Sequence, residues 1–100
     1  MPFNPNQDPP EGGVKLQFGG GYIILGFNDD GCCVVHELYV NPADRRKGTG
    51  SALMSFAKAW AKQQGYYPLI LDCSPSNEEG RAFYESLGMK AVSIVYQMEV

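Results

Sequence analysis

One hundred residues hold a single small domain, and 44% hydrophobic with 12% aromatic residues is enough apolar surface to build its core. A formal charge of −3 and a pI near 4.9 exclude the broad basic surface that nucleic-acid backbones require. Three cysteines, two of them adjacent at Cys32 and Cys33, match neither a disulfide framework nor a zinc-ligand spacing, so no metal is expected. No run approaches the ~20 apolar residues of a membrane span, and the stretch Met1 to Asn6 lacks the basic-then-apolar design of a signal peptide. A cytoplasmic protein with no membrane partner is the expectation.

Residues 1–13 carry Pro2, Pro5, Pro9, Pro10, Gly12 and Gly13 and read as a flexible lead-in, leaving 14–100 as the folded unit. Val14 to Phe18 alternates apolar with polar, Gly19-Gly20-Gly21 is a turn, and Tyr22 to Phe27 is a second strand. Asn28-Asp29-Asp30-Gly31 turns the chain into a third strand, Cys32 to Val40, completing a meander. Leu53, Phe56, Ala57 and Trp60 recur at i, i+3, i+4 and i+7, the apolar face of a helix over Ser51 to Gln64 that stops at Gly65. Leu69 to Cys73 is a short apolar strand. Ser76-x-x-Glu79 has the form of a capping box for a second helix with Phe83 and Leu87 on one side and its end at Gly88. Ala91 to Val100 is apolar and β-branched enough for a closing strand. The order is β-β-β-α-β-α-β, an α/β (α+β) fold with a mixed, mainly antiparallel sheet and two helices.

The segment between the third strand and the first helix carries the chemistry. Arg45-Arg46-Lys47-Gly48-Thr49-Gly50 places three of the eight basic residues and two glycines where a strand hands over to a helix. Glycines let backbone N–H groups turn toward a ligand, a helix N-terminus offers unpaired donors and partial positive charge, and the cations add full charges. A diphosphate is the ligand such a loop fits.

The loop is preceded by Leu38-Tyr39-Val40-Asn41-Pro42 and followed by Asn77-x-x-Gly80-x-x-Phe83-Tyr84-Glu85-x-Leu87-Gly88-Met89. In this order the pieces resemble the GNAT-type N-acetyltransferases, over roughly Val34 to Met89. The resemblance implies a GNAT-like fold and an acetyl-CoA site. In it, Leu38, Tyr39 and Val40 lie along the pantetheine arm, and Arg45, Arg46, Lys47, Gly48, Thr49, Gly50 and Ser51 surround the pyrophosphate. Asn77 would hydrogen-bond the arm, and Phe83 would line the channel. It also implies Tyr84 as the acid toward the leaving thiolate.

For the base, His36 and Glu37 are both candidates. Adjacent strand residues point to opposite faces, so only one is expected to reach the acetyl group. Counting back from Val40 as the resemblance directs puts His36 in the base position, unless a bulge re-aims Glu37. Ordered water in place of a dedicated base is the third alternative. Relatives usually begin with a further strand and helices that wall the acceptor site, and this sequence has no counterpart to them. An exposed amine on a protein lysine or N-terminus is therefore the expected acceptor, and a homodimer would supply the missing wall. The alternative from another class is a catalytically silent acyl-CoA-binding module that regulates a partner protein.

Overall fold

The structure is a computed structural model that describes residues 9–92 and 96–99. Its strands are β1 (Val14–Phe18), β2 (Gly21–Phe27), β3 (Cys33–Val40) and β4 (Leu69–Ile70), and its helices are α1 (Thr49–Gln64) and α2 (Glu78–Ser86). They form one sheet in the order β1-β2-β3-β4, antiparallel up to β3 and parallel between β3 and β4. The expected mixed sheet and the two helices are present. Of the expected closing strand, residues 93–95 and 100 lie outside the described residues, and the described remainder carries no strand pairing. Residues 1–8 of the expected lead-in likewise lie outside them, while 9–13 form a turn closed by Gly13 N–H donating to Pro10 O at 2.8 Å.

The first hairpin turns on two residues because Gly19 takes a φ of +57°, a conformation in which a side chain would be strained. β2 is the centre of the fold and is buried on both faces. Ile23 and Leu25 face α1 with Cys33 and Val35, against Leu53, Met54, Ala57 and Ala61, while Tyr22 and Ile24 alternate onto the opposite face. The predicted stripe on α1 is therefore right at Leu53 and Ala57. Phe56 and Trp60 sit at its flank, partly buried, and Met54 and Ala61 complete it. Losing the fully enclosed Leu53 side chain would cost about 2–5 kcal/mol.

β2 and β3 begin at Gly21 and Cys33, each one residue from the expected Tyr22 and Cys32, and three further boundaries differ from the sequence reading. α1 begins at Thr49 rather than Ser51, so the end of the glycine loop is already helix. β4 spans only Leu69–Ile70, because pairing ends there although Leu71 still packs on the core. α2 is capped by Asn77, whose side-chain oxygen accepts from Gly80 N–H at 2.9 Å, and not by Ser76, whose hydroxyl pairs with that of Ser74 at 2.9 Å.

Candidate active site

The loop from Arg45 to Gly48 bends through two left-handed residues, Arg46 at φ 63° and Gly48 at φ 81°. Turns of this kind line up successive N–H groups as an anion cradle. Gly48 is the N-cap of α1 and provides no side-chain cap, and the first turn holds no acidic residue. The first intrahelical bond runs from Ala52 N–H to Gly48 O at 2.9 Å, so the N–H groups of Thr49, Gly50 and Ser51 have no intrahelical acceptor. α2 is the opposite case, capped by Asn77 and carrying Glu78 and Glu79 in its first turn. Among the described residues the α2 N-terminus is thus neutralised from within, whereas that of α1 is not. Arg45 folds back so that its Nε donates to Val40 O at 3.1 Å, while Lys47 lies 3.9 Å from Asp44.

A strand edge runs into this loop. β3 pairs with β4 only at Cys33–Leu69 and Val34–Ile70, after which the two chains part. Asn41 N–H donates to Gly20 O at 2.7 Å, which fixes the alternation of the antiparallel β2–β3 ladder. Tyr39 and Glu37 fall in hydrogen-bonded pairs with β2, and the peptide groups of Leu38 and Val40 point to the released edge. The side chains of Leu38 and Val40 pack on the core beneath α1, whereas the Tyr39 ring stacks on Tyr22 at 5.7 Å.

The expected parity of His36 and Glu37 does not hold. Ile24 is opposite Glu37 but Leu25 is opposite Val35, so His36 is the extra residue of a β-bulge. Before the bulge Cys33 and Val35 face α1; after it Leu38 and Val40 do. Glu37 thus joins Tyr22 and Tyr39 on the face away from α1. His36 is on that face as well, its Nε2 2.6 Å from where a Cβ on Gly26 would stand. The two candidates share a face but not an environment. His36 is exposed, whereas Glu37 is half-buried and its Oε2 is shielded from solvent beside the Tyr22 phenol. Tyr22, wholly buried beside it, has its phenol pushed up to about 12, chiefly by burial and then by the Glu37 carboxylate.

α2 carries Phe83 and Tyr84. Phe83 packs on the core and over the start of α1, where a Cβ on Gly50 would stand 3.0 Å from its ring. That approach explains a glycine inside a helix. Burial raises the Tyr84 hydroxyl above its ordinary value, and the nearby Cys73 thiol adds to the shift. The Asn77 side-chain oxygen is committed to the α2 cap, which leaves its NH₂ as the group for the expected hydrogen bond to the pantetheine arm.

The profile of the Acetyltransferase (GNAT) family matches residues 20–89. The chain belongs to the GNAT family. Among curated relatives of this GNAT chain, "Uncharacterized N-acetyltransferase YjgM" from Escherichia coli is 30% identical over 74% of this chain and 44% of its own length. "Uncharacterized N-acetyltransferase YhfO" from Bacillus subtilis is 38% identical over 55% of this chain and 37% of its own. The chain thus spans less than half the length of either relative. Among solved structures, a putative streptothricin acetyltransferase from Bacillus anthracis in complex with acetyl coenzyme A superposes with a TM-score of 0.67 at 29% identity, over 69% of this chain and 40% of that one.

Two features of this GNAT domain escape sequence reasoning. Tyr22 reads as one more apolar strand residue; only the bulge, which carries Glu37 to its face, makes it a neighbour of the site. A cleft of about 400 Å³ lined by Gln17, Gly19, Gly20, Gly21, Tyr39 and Asn41 opens where the first hairpin meets the loop. Tyr39 lines it, and Glu37 lies two residues away on the same face. The sequence signal is the triple glycine, which reads as a turn and gives no sign of a wall. No group of three or more metal-ligating side chains occurs among the described residues.

Proposed function

We propose that this GNAT domain transfers an acetyl group from acetyl-CoA to a primary amine on a protein lysine or N-terminus. The observation that carries the reading is the uncapped N-terminus of α1, preceded by a left-handed basic turn and continuous with the released edge of β3. Backbone donors from Arg46 to Ser51 take the diphosphate, with the side chains of Arg46 and Lys47 beside it. The peptide groups of Leu38 and Val40 pair with pantetheine as an added strand, for which Arg45 must release the Val40 carbonyl.

Acetyl-CoA supplies the thioester. Glu37 accepts the proton of the incoming amine: its carboxylate is partly shielded from solvent beside Tyr22, and its face is the one the cleft opens on. His36, exposed at the bulge, positions the strand and takes no part in proton transfer. Tyr84, whose raised affinity for its proton keeps it neutral well above neutrality, donates to the departing sulfur. The cleft lining among Gln17, Gly19 to Gly21, Tyr39 and Asn41 carries no charged side chain, which suits an amine presented on an extended chain better than a small polycation.

Replacing Tyr84 with Phe and Glu37 with Gln tests the assignment. Turnover with amine-bearing peptides falls by about 10²–10⁴ in each variant while CoA affinity stays within twofold. Unchanged turnover in both would remove the acid and base roles and favour a silent acyl-CoA-binding module.

A further inference from the structure

The diphosphate loop is a short bridge, and both of its ends rest on one glycine turn. Asp44, the last residue before the loop, sets its carboxylate in the space that a Cβ on Gly20 would need. Thr49, the first residue after the loop and a buried polar side chain, has its Oγ1 3.4 Å from where a Cβ on Gly19 would stand. Hydrogen bonds tie the same pieces together. Asn41 N–H donates to Gly20 O at 2.7 Å, Asp44 N–H to Asn41 O at 2.8 Å, and Ala43 N–H to Asn41 Oδ1 at 3.1 Å. On its outer side Asp44 lies 3.9 Å from the Lys47 ammonium, across the loop itself.

An acid next to an anion site is, on charge alone, the wrong sign. Its placement gives it another task. From this geometry we infer that Asp44 and the Gly19-Gly20 turn are positioning residues, a clamp that holds Arg45 to Gly48 in the shape that lines up the α1 N-terminal donors. Gly20 is glycine because Asp44 must come this close; its backbone is not in the left-handed region, so an added methyl there meets the carboxylate without backbone strain. The inference rests on the diphosphate assignment above for its ligand, but not for its mechanics.

The two ideas about Asp44 predict opposite signs. If it only repels the ligand, Asp44→Asn tightens CoA binding. If it clamps the loop, Asp44→Asn and Gly20→Ala both weaken CoA binding, by about tenfold, the equivalent of one misplaced charge-assisted donor. The double variant Gly20→Ala/Asp44→Ala then binds no worse than Asp44→Ala alone, because the methyl enters vacated space. Gly31→Ala is the control. It imposes a side chain at φ +80° with nothing within 4 Å of the added carbon, so it lowers the melting temperature and leaves CoA affinity within twofold.

Hydrogen exchange of the ligand-free protein reads the clamp without any ligand. Amides of residues 45–51 exchange faster in Asp44→Asn and Gly20→Ala than in the unaltered protein, and Gly31→Ala leaves them unchanged. Unaltered exchange in the first two variants, tighter CoA binding by Asp44→Asn, or additive losses in the double variant would each overturn the clamp. Faster exchange in a protein that binds no CoA would uphold the clamp and overturn the diphosphate assignment instead.

Discussion

Arg46 is the one described residue other than glycine with a positive φ, at 63°, and it lies in the middle of the loop assigned to the diphosphate. For a residue with a Cβ this conformation costs about 1–2 kcal/mol, and glycine escapes that cost while giving back part of it as unfolded-state entropy. The comparison that isolates the strain is Arg46→Gly against Arg46→Ala. Both lose the same cation, and only alanine retains the strained backbone. The net difference is about 1 kcal/mol in favour of glycine, and for a chain of this size that separates the melting temperatures by roughly 4–8 °C. Thermal and urea unfolding of the two ligand-free variants, followed by circular dichroism, measure it directly. An alanine variant as stable as the glycine variant would mean that the loop relaxes out of the left-handed turn, and the preformed anion cradle would fall with it. Such strain within a binding loop is the expected mark of a backbone shaped for a ligand rather than for stability.

Other consequences concern the supporting structure. Gly80→Ala, which ordinarily stabilises a helix by about 1 kcal/mol, should gain nothing or lose stability in urea titrations, since the added carbon would stand 2.8 Å from Asn77 Cγ and displace the α2 cap. Asn77→Ala should cost about 0.5–2 kcal/mol in the same assay, whereas Asn77→Asp, which keeps the acceptor, should cost little. Tyr22 holds its proton more tightly when folded, so its contribution to stability is complete below pH 10 and is lost as pH rises from 10 toward about 12. Tyr22→Phe should remove that part of the alkaline destabilisation, and an unchanged alkaline transition would place the phenol outside its buried setting.

What the sequence makes legible follows from periodicity. Leu53 and Ala57 announce the buried face of α1 because a 3.6-residue repeat survives small errors of boundary. The β3 register is different in kind. A single bulge at His36 inverts the parity of every later residue, and nothing in Val34-Val35-His36-Glu37 marks it, since both readings of the alternation leave apolar residues on each face. The faces that His36 and Glu37 take can therefore be read only from the pairing. The α2 cap was ambiguous for another reason: Ser76 and Asn77 both stand at capping positions, and the contact of Ser76 with Ser74 decides between them. The anion site proposed at Arg45 to Gly50 was readable from residue types alone. The seat beneath that loop was not, because Gly19, Gly20 and Asp44 meet across a gap in sequence that no local pattern spans.

Calorimetric titration of CoA and acetyl-CoA into the protein, beside the charge-reversed variant Arg45→Glu/Arg46→Glu, tests the central assignment most directly. The account predicts saturable binding of both ligands to the unaltered chain, lost in the variant while its fold is retained. Absence of binding at millimolar ligand, or binding that survives the charge reversal, would contradict it.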